Sequence, residues 1–122
     1  MTPEEFSGKI YDVVVEENMT IYRQTFSRTK PSEATDPYYK RVLTLFNEIS
    51  PAQKDCLFEI MRQVTVDAVS NMLGVIDGSS FIDSSAPTFE LICGAERLDG
   101  DLQTYFLNED DKRHDRNQEP KE

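Results

Sequence analysis

The sequence predicts an α+β fold that is mostly helical: three main helices, a C-terminal β-hairpin and a short closing helix. Three observations carry this reading. A helix-start pattern occurs three times, as Thr2-Pro3-Glu4-Glu5, Asp36-Pro37 and Ser50-Pro51-Ala52-Gln53, each pairing a capping side chain with proline at the first helical position. Behind each start, apolar residues recur at three- and four-residue intervals. The best strand pattern, Thr88 to Cys93, comes only after these helices and is followed by turn residues.

The first helix is expected over about 3–26. Its apolar residues are Phe6, Ile10, Val13 and Val14, then Met19, Ile21, Tyr22 and Phe26, with a second line through Tyr11, Val15, Met19, Tyr22 and Phe26. Three consecutive valines, Val13 to Val15, favour extended backbone, so a break or a short strand at Asp12 to Val15 is the alternative. Ser27 to Asp36 has no apolar periodicity and reads as a polar linker. The second helix, about 37–49, places Tyr38, Val42, Leu45, Phe46 and Ile49 on one side and stops before Pro51, because the residue preceding a proline resists helical geometry.

The third helix, about 51–76, is the hub. Leu57, Ile60, Met61, Val64, Ala68, Met72 and Val75 form its main apolar stripe, and Phe58, Val66, Val69, Leu73 and Ile76 broaden it. A helix apolar over so much of its circumference is expected to be buried by more than one neighbour. Asp77-Gly78 ends it. Ser79 to Pro87 then reads as a loop pinned by Phe81 and Ile82. A strand over about 88–93 turns at Gly94-Ala95 into a partner at about 96–98. Asp101 is placed to cap a closing helix over about 101–108, in which Leu102, Tyr105 and Phe106 share a face. Residues 1–108 form one globular domain on this reading. Residues 109–122 contain no apolar side chain to anchor them and read as a disordered charged tail.

At 122 residues the chain has length for one ordinary core, and its net charge is −10. Residues 1–107 hold 17 acids and 9 bases, giving −8, so the acidity belongs to the folded part as well as the end. Such a field repels phosphate backbones and anionic lipid and attracts basic protein surfaces. With no secretory leader and no run of roughly 20 apolar residues, the cytoplasm is the expected location, and the acidic field weighs against a membrane surface or a nucleic acid as partner. Cys56 and Cys93 have neither disulfide-framework nor zinc spacing. They are expected as reduced thiols, Cys56 buried near the start of the hub helix and Cys93 in the strand.

Catalytic signatures are lacking. The one histidine, His114, lies among charges near the end of the chain, where nothing holds it beside a nucleophile. Asp55, Glu59, Gln63 and Asp67, four residues apart, read as a solvated stripe opposite the core, with Arg62 and Lys54 as salt-bridge partners. Asp67 lies among valines and would need a partner if it were buried. No catalytic residue, cofactor or metal ligand is assigned.

The favoured function is therefore a small non-catalytic interaction protein working through an acidic or aromatic surface, with a basic protein as partner. Those properties suit an immunity protein or antitoxin masking a basic active site, and equally an accessory subunit. A homodimer through the hub helix is a further association. The competing reading is a divalent-metal-dependent binder or enzyme built on Asp77, Asp83, Asp99 and Asp101, although these lack the spacing of an EF-hand.

Overall fold

The computed structural model describes residues 1–80, 82 and 88–114. All three helix starts form as their local chemistry requires. The Thr2 hydroxyl accepts the Glu5 N–H at 3.1 Å while the Glu5 carboxylate accepts the Thr2 N–H at 2.8 Å. Ser50 and Gln53 repeat the exchange at 3.1 and 2.8 Å, and Asp36 takes the Tyr38 N–H at 2.9 Å.

From these starts run α1 (Pro3–Ile10), a π-helical stretch (Tyr11–Glu17) and α2 (Asn18–Arg28), then α3 (Pro37–Glu48) and α4 (Pro51–Asp77). A turn of 3-10 helix, Pro31–Glu33, lies in the linker before α3. The valine run thus makes neither a strand nor a break. It falls in the π stretch, where the helix continues with a wider turn. In an α-helix each four-residue step overshoots a full turn by about 40°. Widening the turn reduces that drift and keeps Tyr11, Val15 and Met19 buried on one line.

Gly78, with φ of 86°, ends α4 in left-handed geometry that costs glycine little. The loop expected to be pinned by Phe81 and Ile82 falls mostly outside the described residues. Ile82 itself is exposed. The hairpin pairs β1 (Ile92–Cys93) with β2 (Glu96–Arg97), antiparallel, with Ile92 opposite Arg97. It is shorter than the 88–93 and 96–98 expected, since the chain turns away at Asp99-Gly100 and leaves nothing opposite residues 88–90. Buried Leu98 anchors the hairpin, and its N–H reaches the Leu91 carbonyl at 2.7 Å.

The last helix, α5 (Leu102–His114), continues well beyond residue 108, where the sequence suggested a tail would begin. Ionic contacts replace the missing apolar anchors: Asp110 accepts a hydrogen bond from Tyr11, and Arg113 pairs with Asp12 and Glu109. The rest of the expected tail, 115–122, lies outside the described residues.

The core has two parts strung along α4. Towards its C-terminal end, Val66 and Leu73 pack with Tyr11, Val15, Leu98, Leu102 and Phe106. Towards its N-terminal end, Phe58 packs with Met19, Phe26, Leu43 and Phe46, and the three phenylalanine rings sit 5.4 to 5.9 Å apart. Small residues let the helices approach. Ser7 is fully buried against α5, its hydroxyl 3.4 Å from the Leu102 carbonyl, and a Cβ added at Gly74 would lie only 3.0 Å from the Gln103 side chain.

Asp77 is placed by the same approach. Its two carboxylate oxygens accept the N–H groups of Gly100, Leu102 and Gln103 at 2.8, 3.0 and 2.8 Å, so the end of α4 caps the start of α5. Asp101 does occupy the N-cap position, where its carbonyl accepts the Tyr105 N–H at 3.0 Å. The carboxylate that meets the first helical N–H groups is nevertheless Asp77, 25 residues from Leu102 in sequence. Replacing Asp77 with alanine is expected to cost about 2 kcal/mol, from the range for caps and for hydrogen bonds to charged groups. The melting temperature should fall by roughly 8 °C in buffer free of divalent cations. Asp101→Ala should cost less than half as much, and equal losses would contradict the cross-helix cap.

Candidate functional site

Two places could carry function, and α4 contributes to both. The first is a charged junction between the two parts of the core. Arg62 stands midway between Phe58 and Val66 on the inward line of α4 and turns inward, away from the outer surface where a pairing with Glu59 is expected from sequence. Its Nη2 donates to the Tyr11 hydroxyl at 2.6 Å and its Nη1 to Glu16 at 3.2 Å. The Tyr11 hydroxyl in turn donates to Asp110 Oδ1 at 2.5 Å. Burial, and then the hydrogen bond to Asp110, push the Tyr11 phenol well above its ordinary range, so it remains a donor throughout the physiological range.

Arg113 lies over the Tyr11 ring at 4.7 Å and closes the cluster from α5. Beside it, a cleft of about 540 Å³ is walled by Glu16 and Arg23 on one side and by Asp55 and Glu59 on the other, with Phe58 in its floor. Mixed charges of this kind, mostly satisfied by one another, join three helical segments but do not separate an acid from a base as proton-transfer chemistry requires. The Arg62 Nε–H is buried 4.0 Å from Asp110 Oδ1, beyond hydrogen-bond range, so the junction carries one unsatisfied donor.

The second place is an apolar groove of about 510 Å³ between α2, α3 and α4. Tyr22 borders it from α2, Tyr38, Val42 and Leu45 from α3, and Ile60 and Val64 from α4. The sequence assigned the stripes containing these α3 and α4 residues to the core. The structure buries only part of them: Phe46 from the α3 stripe, and on α4 the second set, Phe58, Val66 and Leu73, rather than the main stripe. On α3 the fully covered residues are Leu43 and Phe46, while Tyr38 and Leu45 are exposed. On α4 the covered residues are Phe58, Val66, Ser70, Leu73 and Gly74, whereas Ile60, Val64 and Met72 are 54%, 62% and 66% exposed.

The hub helix is thus half open rather than enclosed. Ile60, Val64, Ala68 and Met72 form a bare apolar line along it, with Cys56 at one end. Cys56, expected to be buried, is an exposed free thiol because it falls on this outer line. Cys93, in β1, is also exposed and free. Asp67 is exposed and needs no buried partner, and Asp55, Glu59 and Gln63 share the solvated face the spacing assigned to them.

Two of the aspartates named for a metal, Asp77 and Asp99, serve as structural acceptors. Both oxygens of Asp77 are used by backbone N–H groups. Asp99 is held down at about 2 by Arg97, whose guanidinium donates to it at 3.0 to 3.2 Å, and by the Leu91 N–H at 2.8 Å. Asp101 marks the start of α5, and Asp83 lies outside the described residues. Among the described residues no group of three or more histidines, cysteines or carboxylates could hold a metal ion, and no helix is long and apolar enough to cross a membrane. His114 ends α5, and its side chain lies outside the described part.

No family model matches the chain, and comparison with curated proteins and with solved structures finds no significant match.

Sequence reasoning missed the Tyr11, Arg62 and Asp110 junction. The signal available was one arginine breaking the apolar line between Phe58 and Val66. Tyr11→Phe is expected to cost about 2 kcal/mol, because it removes one partner from each of two partly buried charges. Arg62→Met should cost less in that background than in the wild type, by at least about 0.5 kcal/mol, since the two share one network. Urea unfolding of the four proteins measures this, and strictly additive losses would mean that the residues do not act together.

Proposed function

We propose that this chain is a non-catalytic interaction protein that docks a basic partner through the apolar groove between α2, α3 and α4. One observation carries the reading: two helices present regularly spaced apolar faces to the same open space. A contiguous exposed apolar patch of several hundred Å² is as large as an ordinary monomer carries, and the largest such patch is often functional. Five residues here, Tyr22, Tyr38, Leu45, Ile60 and Val64, each more than a third exposed, offer about 500 Å² in total at roughly 100 Å² apiece. That is more than half of the roughly 800 Å² a partner contributes to a standard interface. The net charge of −10 supplies the preference for a basic surface and would speed encounter with one. A protein that masks a basic active site, or an accessory subunit, would have these properties.

Self-association across α4 is a second reading, favoured by the four-residue repeat Ile60, Val64, Ala68 and Met72. Salt separates the two. A pair of chains each carrying −10 should tighten as salt screens their repulsion, whereas a basic partner should be released.

The test compares affinity capture from extract of the source organism by the wild type and by an Ile60→Asp, Val64→Asp variant. These positions are exposed, so the variant's stability should change by less than about 1 kcal/mol. The wild type is expected to retain a protein of basic isoelectric point that elutes with rising salt, and the variant to lose it. Equal capture by both would contradict the groove's role.

A further inference from the structure

The groove has helical walls on every side that borders it, and this restricts what can bind there. Beyond the first turn of α3, where Asp36 takes the Tyr38 N–H, the backbone N–H and C=O groups lining the groove are used within their own helices, so the walls offer side chains and no main-chain edge. An extended segment laid into this space would bury backbone polar groups with nothing to pair them, at a cost of a few kcal/mol for each group left unsatisfied. A helix satisfies its own backbone and presents only side chains. Its apolar residues at i, i+3, i+4 and i+7 would fill the groove as about four anchors.

The rim supplies the charge. Glu48 and Asp67, both exposed, sit three residues beyond Leu45 and Val64, one turn from the groove on α3 and α4. Their carboxylates lie one helical turn from the groove-lining residues; Asp67 also borders the cleft that holds Arg62 and Asp110, and Arg41 stands over the Tyr38 ring at the groove's other edge. The chain's own end does not fit, because residues 115–122 include no apolar residue. A second copy would bring −10 against −10.

We infer that the occupant of the groove is an amphipathic α-helix of the partner, its apolar face set between Leu45, Ile60 and Val64 and its lysine or arginine flank towards Glu48 and Asp67. This rests on the reading of the groove as a docking site, and the experiment separates the two claims. Three labelled peptides of roughly four helical turns are titrated into the full chain: a leucine and lysine peptide with helical spacing, one of the same composition with strict alternation, and a helical peptide with glutamate in place of lysine. Fluorescence anisotropy reads the binding, and sedimentation of the unliganded chain reads its own association.

The helical lysine peptide is expected to bind at least about tenfold more tightly than either other peptide. It should weaken about tenfold with Glu48→Lys, Asp67→Lys, and be lost with Val64→Asp, although that last change makes the protein more acidic. If the alternating peptide binds as tightly and Val64→Asp abolishes both, the groove stands as a docking site but helix recognition is overturned. If Val64→Asp leaves the lysine peptide bound as before or more tightly, the peptide sits on the acidic surface and the groove reading fails with the inference. A dimer of the unliganded chain that the helical peptide does not dissociate would assign the groove to a second copy and overturn the helical partner.

Discussion

Arg62 marks which way α4 faces. A guanidinium on the inward line of a helix needs partners, and the phenol of Tyr11 and the carboxylates of Glu16 and Asp110 surround it. That orientation takes Phe58 and Val66, four residues to either side, into the two parts of the core. Ser70 and Gly74 follow on the same line, and their small size admits α5, with the Gln103 amide donating to the Ser70 hydroxyl at 3.1 Å. Once this line points inward, Ile60, Val64, Ala68 and Met72 must point out. The open groove is therefore the other side of the buried line.

Charged and polar contacts also do the joining at the helix ends. Asp77 ties the end of α4 to the start of α5, and Arg113 ties the end of α5 to the π stretch through Asp12. These contacts are directional where apolar packing is not, and they fix α1, α4 and α5 relative to one another. Around α2 and α3 the balance differs: packing is aromatic, from Phe26, Phe46 and Phe58, and the apolar surface exceeds what three helices can cover.

The helix starts were legible because capping is local: Thr2 with Glu5, Asp36 with Tyr38, and Ser50 with Gln53 act over two or three residues. The hairpin's turn at Gly94-Ala95 and the stop at Gly78 were legible for the same reason. The inward face of α4 was not. Hydrophobicity ranks Ile60, Val64 and Met72 above a line containing Arg62, Ser70 and Gly74, and only contacts more than 30 residues distant reverse that ranking. The same limit hid the continuation of α5 past residue 108, since its anchors are Tyr11 and Asp12 at the other end of the chain, and hid Asp77 as the cap. The candidate groove was legible as two apolar stripes but not as a space between them.

The orientation of α4 underlies both the fold and the open groove, and thiol accessibility reads it directly. With Cys56 and Cys93 changed to serine, single cysteines are introduced in turn from position 58 to 74, and their labelling rates are measured in the folded protein. Fast labelling should recur at 60, 64, 68 and 72, with 58, 66, 70 and 74 protected. Fast labelling in phase with Val66, and protection at Val64, would place the apolar stripe in the core and remove the groove altogether.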